Sequence, residues 1–256
     1  LAIVSQRPEQ VKSIRARARR VIAVFIVGVL IVSSMYLYNY VTTADRFAVT
    51  QVELTGLSRV ERAEVERLVG DLEGQNILLA PLDVIESRLE AHPRVARAST
   101  RRVLPNRVVC EVTEREPVAL VYTDRFYEID AEGMVMPGDN YTSLLDLPAI
   151  TGIAPRTIRA GHRCENPMVL GALQALGVCR LLGGSFADDI SELHATTSGL
   201  SIRSLKDDCV LLVGDGEFEK RLRKFFLLRD ELASREAPSR LIDLRFDNQV
   251  VLRSGL

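Results

Sequence analysis

From Val21 to Val41 the chain carries 21 residues without one charged side chain, VIAVFIVGVLIVSSMYLYNYV. A helix needs about 20 predominantly apolar residues to cross roughly 30 Å of hydrocarbon, so the pattern predicts a transmembrane helix over 21–41. Tyr36, Tyr38 and Tyr40 gather at its far end, where amphipathic rings sit at a membrane–water interface. A cleaved secretory signal is the rival reading. Such signals have apolar regions of about 7–15 residues and a small-x-small cleavage site. Here the run is longer, and Tyr-Leu-Tyr-Asn-Tyr stands where a cleavage site is needed.

Beyond the run the periods shorten, and residues 47–115 read β-α-α-β-β. Val52 and Leu54 alternate before Gly56, a short strand ending in a turn. Ser58-Arg59-Val60-Glu61 has the spacing of a capping box, in which hydroxyl and carboxylate each accept from an orphan backbone N–H. It opens a helix through Val69 that Gly70 ends. Pro81 begins a second helix, with Leu82, Ile85 and Leu89 at helical spacing, and His92-Pro93 stops it. Val95–Arg102, a turn at Leu104-Pro105-Asn106 and Val108–Arg115 predict a hairpin. Three strands with two helices on one face make a two-layer α+β unit. Its core is expected to hold Val52, Leu54, Leu68, Ile85, Leu89, Val95 and Val112.

Residues 116–256 predict a mostly β domain with two helices. Strands are expected at Pro117–Tyr122, Arg125–Ile129, Met134–Met136, Ile190–His194, Leu200–Arg203 and Cys209–Val213. Asn166 as N-cap, Pro167 in the first turn and Gly183-Gly184 as the stop bracket one helix. After Gly214-Asp215-Gly216 comes another, with Phe218, Leu222, Phe225, Phe226 and Leu232 on one face and Lys220, Arg221, Arg223 and Lys224 on a solvated one. Leu241–Arg253 reads as one last strand.

Charge sets the orientation of the run. Residues 1–20 hold six Lys/Arg against one Glu, a balance of +5, and the remaining 27 Lys/Arg against 33 Asp/Glu leave −6. Lys12, Arg15, Arg17, Arg19 and Arg20 precede the run as the topology signal. Lys and Arg are retained on the cytoplasmic side, which places 1–20 as an inner tail and about 215 residues outside. With Leu1 in place of a starting methionine, the length of that tail is left open. A mildly acidic exterior argues against nucleic acid, which binds to concentrated positive surface. Hydrophobic residues at 47% and charged residues at 26% are otherwise ordinary globular values. Cys110, Cys164, Cys179 and Cys209 fall on the outer side, where disulfides are permitted. Mostly buried thiols, or one bridge among the last three, are the two expectations.

No catalytic constellation stands out. His92, His162 and His194 are scattered, and His162-Arg163-Cys164 has no second ligand pair at zinc spacing. No phosphate-binding P-loop or nucleophile-elbow motif is present. Gly214-Asp215-Gly216 reads as turn chemistry. Asp188-Asp189 and Asp207-Asp208 read as neighbours pointing apart on strands. The expectation is no enzymatic activity, no metal, no cofactor and no small-molecule substrate.

An ordered set of short stretches carries a resemblance. These are Val52-Glu53-Leu54-Thr55-Gly56, Gly74-Gln75-Asn76-Ile77, His92-Pro93-Arg94-Val95-Ala96-Arg97-Ala98 and Leu104-Pro105-Asn106. They continue with Glu114-Arg115-Glu116-Pro117-Val118-Ala119, Ile129-Asp130-Ala131-Glu132-Gly133, Leu147-Pro148-Ala149-Ile150-Thr151-Gly152, Val213-Gly214 and Ile242-Asp243-Leu244-Arg245-Phe246. Together they resemble the bacterial cell-division family FtsQ/DivIB from Phe47 to Arg253. The resemblance implies a POTRA domain over 47–115 and a β domain of FtsQ type over 116–256. It implies a non-enzymatic scaffold of the divisome in the inner membrane at the septum. Such a protein binds small bitopic proteins of the FtsB/DivIC and FtsL types and, through them, supports the peptidoglycan synthases FtsW and FtsI. The chain departs from the family in its four cysteines. It stops soon after the last strand, more like the FtsQ layout than the longer DivIB one. A POTRA-bearing envelope chaperone or translocation factor is the alternative, although no β-barrel or POTRA repeat is visible.

The last strand gives the candidate site. Gln249-Val250-Val251-Leu252 has neither proline nor charge until Arg253, although natural sheet edges are usually blunted by one or the other. An edge strand there is expected to recruit a partner segment by β-augmentation, with Phe246, Gln249, Val250, Val251, Leu252 and Arg253 as contacts. An interior strand needed only for folding is the competing expectation.

Overall fold

A computed structural model describes residues 8–138, 145–233, 241–247 and 249–253. Two compact units emerge. One comprises residues 1–55, 62–86 and 99–111, the other 56–61, 87–98 and 112–256.

The first unit opens with α1, a single helix from Pro8 to Thr43. Its stretch Arg17–Thr43 is long and apolar enough to cross a membrane, and at 1.5 Å per residue its 27 residues extend about 40 Å. None of that stretch is buried against protein, so its valines, isoleucines and leucines need an apolar surrounding from outside the chain. Arg17, Arg19 and Arg20 are exposed at its start. Lys12 and Arg15 lie on the same helix, with their side chains outside the described set.

The predicted β-α-α-β-β order follows. Its elements are β1 (Gln51–Thr55), α2 (Arg62–Val69), α3 (Leu82–Glu90), β2 (Val95–Val103) and β3 (Arg107–Glu114). They form a three-stranded sheet ordered β1-β3-β2, with β1 parallel to β3. Leu54, Ile85, Leu89, Val95 and Val112 are buried as expected, whereas Val52 and Leu68 are only partly so. On α2 the buried positions are Val65 and Val69, which leaves Leu68 on the flank of the apolar stripe. Leu89 has no exposed surface. Leu89→Ala should therefore cost about 2–5 kcal/mol, the usual range for emptying such a site. A melting temperature unchanged by Leu89→Ala would contradict this packing.

The capping box does not form as its spacing suggested. α2 starts at Arg62, and the carboxylate serving residues 58–60 is Glu114 on β3. It accepts from the backbone N–H of Ser58 (2.8 Å), Arg59 (3.0 Å) and Val60 (3.0 Å), and from the Ser58 hydroxyl (2.8 Å). A carboxylate from another element thus does the work assigned to Glu61. Gly56 makes the approach to β3 feasible. Its φ is +82°, and a Cβ there would stand 1.9 Å from the Val112 carbonyl oxygen. Burial raises the Glu114 pKa, but the hydrogen bonds from Ser58, Val60 and Arg59 outweigh it and hold the group below its ordinary value. A depressed folded pKa gives stability that is complete above the unfolded value of about 4.3 and lost as pH falls through the folded one. The stability difference between wild type and Glu114→Gln should accordingly shrink as pH is lowered below about 4. An acid-denaturation series in which the two curves stay parallel would refute it.

The second unit is built on a nine-stranded sheet. Its strands are β4 (Ala119–Tyr122), β5 (Phe126–Ile129), β6 (Val135–Pro137), β7 (Ala149–Thr151), β8 (Ile190–Thr196), β9 (Gly199–Ser204), β10 (Cys209–Gly214), β11 (Leu241–Asp243) and β12 (Val251–Arg253). The order is β12-β11-β10-β9-β8-β7-β4-β5-β6. Two helices, α4 (Pro167–Leu182) and α5 (Phe218–Ala233), pack on each other and on β8–β10. Asn166 caps α4 as its sequence indicates, its side-chain oxygen accepting from the N–H of Met168 and Val169. Phe186, Phe225 and Phe226 form a ring cluster with centroids 5.2–5.5 Å apart, within the range where edge and tilted pairs are favourable.

All four cysteines are free and buried. Burial pushes the thiols of Cys110 and Cys209 up to about 11 and that of Cys179 up to about 12, so little reactive thiolate forms. The aspartate pairs are not on strands. Asp188-Asp189 ends a 3-10 turn after α4. Asp207-Asp208 lies in the β9–β10 turn, where Asp207 accepts from Arg229 of α5 at 3.0 Å.

A buried ionic cluster lies at the other end of the sheet. Glu128 of β5 has no exposed surface and takes two-point contacts from both Arg59 (2.7 and 2.9 Å) and Arg94 (2.8 and 3.3 Å). Arg94 also donates to the Pro137 carbonyl at 2.7 Å. Beside it Arg115 donates to Asp130 at 2.8 Å, and Asp130 accepts the Met134 N–H at 2.7 Å.

Candidate partner-binding edge

The segment expected as one strand over Leu241–Arg253 is two short ones. β11 lies inside the sheet, parallel to β10, and β12 pairs antiparallel with β11 as the outermost strand. The break has a local cause and a tertiary one. Asp243, fully buried, accepts from the Arg245 backbone N–H at 3.2 Å and from its guanidinium at 2.9 and 2.6 Å. Side-chain bonds of this kind offer the backbone an alternative to a ladder. Those bonds, the Arg245 guanidinium foremost, hold the Asp243 carboxyl below its ordinary pKa. From α5, the Lys224 ammonium donates to the carbonyls of Phe246 (2.6 Å) and Asp247 (3.1 Å), and Lys220 to the Asp247 carboxylate (3.0 Å). These bonds tie the segment to α5 between the two short strands.

The predicted contact residues therefore occupy different places. Val251, Leu252 and Arg253 form β12 itself, in register with Asp243, Ile242 and Leu241. Val250 and Leu252 are half-buried against the sheet core, so their side chains help seat the edge. Phe246 is 44% exposed in the turn, and Gln249 and Arg253 are exposed.

Sequence reasoning missed the contacts that α5 makes with the segment ahead of this edge. The basic side of α5 is not simply solvated. Arg221 donates to the carbonyls of Val213 (2.8 Å) and Asp215 (3.0 Å), closing the turn into α5. Lys220 and Lys224 pin the loop. An open groove of about 640 Å³ runs along α5, lined by Gln174 of α4 and, on α5 and the turn before it, by acidic (Glu217, Glu219), basic (Lys220, Arg223, Lys224) and apolar (Phe218, Leu227) residues. Leu227, 79% exposed on this groove, was the one available signal, an apolar residue outside the helix's buried stripe. Among the described residues, no group of three or more His, Cys, Asp or Glu stands together as a metal set.

Comparison with known proteins agrees with this architecture. Residues 47–115 match the model of the POTRA domain of FtsQ type, and residues 119–245 match that of the FtsQ/DivIB C-terminal region. The cell division protein FtsQ of Myxococcus fulvus is 30% identical over 239 residues, covering 91% of this chain and 82% of that protein. FtsQ of Geotalea daltonii is 24% identical, covering 85% and 79%, and that of Syntrophotalea carbinolica is 26% identical, covering 88% and 80%. With a membrane-length helix, a β-α-α-β-β segment and a mostly β sheet in that order, the chain belongs to the FtsQ/DivIB family of cell division proteins.

Proposed function

We propose that this protein is a non-enzymatic scaffold of the divisome. α1 anchors it in the inner membrane with residues 1–20 inside, and the region from 47 to the C-terminus works outside the cytoplasm at the septum. β12 receives a segment of a small bitopic partner of the FtsB/DivIC type, together with an FtsL-type protein. Through them the scaffold supports septal wall synthesis by FtsW and FtsI. The observation that carries the reading is the place of Val251–Arg253 as the terminal strand of the nine-stranded sheet. A terminal strand presents one side of its backbone to a further strand.

Two measurements on cells test the placement. Protease applied from the outer side of intact inner membranes should digest the region after Thr42 and spare a small N-terminal piece, and a fluorescent fusion should form a midcell band. Replacing Arg15, Arg17, Arg19 and Arg20 together with Glu should scramble insertion, because retained positive charge sets orientation. Protection of the large region would overturn the orientation, and a uniform envelope signal would overturn the septal role.

A further inference from the structure

The last four carbonyls of a helix have no partner within it. In α1 one of them, on Tyr40, accepts the Ala44 N–H at 3.0 Å. The next two are claimed from outside the helix. The Asn76 side-chain amide donates to the carbonyl oxygens of Val41 (2.8 Å) and Thr42 (3.0 Å), while its own oxygen accepts the Leu78 N–H at 2.9 Å. Asn76 thus ties the segment Asn76-Ile77-Leu78-Leu79-Ala80 to the last turn of α1, directly after Tyr40. The segment is held from its other side as well. Arg102 of β2 donates to the carbonyls of Ile77 and Ala80, each at 2.7 Å. Ile77 and Ala80 are buried, yet Leu78 and Leu79 between them are 39% and 59% exposed. A loop clamped at both ends so as to present two leucines outward is a built surface.

We infer that this loop is a second membrane contact, seating Leu78 and Leu79 in the interfacial layer of the leaflet from which α1 emerges. The inference rests on the reading that α1 crosses the membrane. Its occupant follows from distance. Leu79 lies three residues from Asn76, at most about 11 Å of chain. Asn76 itself is within hydrogen-bond reach of Val41, the last residue of the span expected to cross the membrane. Apolar side chains at an interface enter about 5–10 Å, to the headgroup–acyl boundary. The two leucines are therefore within reach of the layer that holds the helix end and its tyrosines. There, carbonyls left open would lack water at the hydrocarbon boundary, which gives the Asn76 amide its role.

The test uses the full chain carrying Leu79→Cys, labelled with the fluorophore NBD in detergent and reconstituted in phosphatidylethanolamine–phosphatidylglycerol vesicles. The four native thiols are buried, so the label goes to the introduced one. Val32→Cys, inside α1, is the reference. At position 79, a nitroxide near the headgroup should quench at least about twofold more than one at the chain end, with little quenching by aqueous iodide. At position 32 the order of the two nitroxides should reverse. Adding Asn76→Ala to the Leu79→Cys chain should raise iodide access at 79 and leave 32 unchanged. Free iodide quenching at 79 with 32 protected would overturn the loop contact alone, and would leave the leucines as a surface for protein. Iodide quenching at both positions would overturn the membrane-spanning reading and the inference with it.

Discussion

Glu128→Ala should destabilise the second unit by about 3–5 kcal/mol, the penalty expected when one partner of a buried ion pair is removed. The carboxylate is fully buried, and two guanidinium groups close on it, Arg59 with 22% and Arg94 with 9% of the side chain exposed. Removing it leaves positive charge in a poorly solvated place, which costs more than the pair itself contributes. A typical domain has only about 5–15 kcal/mol in total, so partial unfolding at ordinary temperature is the expected phenotype. The triple change Glu128→Leu, Arg59→Met and Arg94→Met should recover most of the loss, because apolar groups of similar volume need no compensation. With no tryptophan in the chain, far-UV circular dichroism against denaturant is the suitable measurement. A loss below about 1 kcal/mol for Glu128→Ala would mean that water reaches the arginines, as at a surface pair.

Capture of the bitopic partner should be abolished by truncation after Asp247, and by proline at one of the two positions Val251 and Leu252. N–H groups of successive strand residues point to opposite sides. One of these two prolines therefore removes a donor facing the open side, and the other a donor facing β11. The outward one should leave folding intact, since proline is tolerated on the free side of an edge strand. Backbone pairing alone is weak. A three-residue strand offers about two to four inter-chain bonds at roughly 0.5–1.5 kcal/mol net each. Micromolar affinity requires about 8 kcal/mol after the cost of association. The rest has to come from side chains of the segment that leads into the edge, where Phe246 is exposed. Phe246→Ala should accordingly weaken capture by tenfold or more, about 1.4 kcal/mol. Full capture by both proline variants, each folded by circular dichroism, would end the augmentation idea. Global unfolding by both would favour a strand needed only for folding.

Much of the fold was legible in the residue pattern because its causes are local. The 21 uncharged residues of Val21–Val41, the Asn166-Pro167 start of α4, the glycines after α2 and α4, and the alternation in β9 and β10 all act within one turn or one strand. The candidate edge was only partly legible. Gln249–Leu252 signalled an unblunted strand, but nothing in Leu241–Arg253 shows that Lys224, on another element, would take the Phe246 and Asp247 carbonyls.

The sequence by itself determined most of the helices and strands, which faces are apolar and that one segment needs an apolar solvent, since hydrophobic period and backbone preference are properties of neighbouring residues. It left out β7, the start of α2 at Arg62 and the division of Leu241–Arg253 into β11 and β12. Tertiary structure decided which polar groups satisfy one another. Glu114 rather than Glu61 serves residues 58–60, Glu128 gathers Arg59 and Arg94, and Asn76 closes the end of α1. The physical reason is the same in each case. A buried donor or acceptor must be satisfied by whatever group the fold brings within about 3 Å, and that group is set by the path of the chain in space.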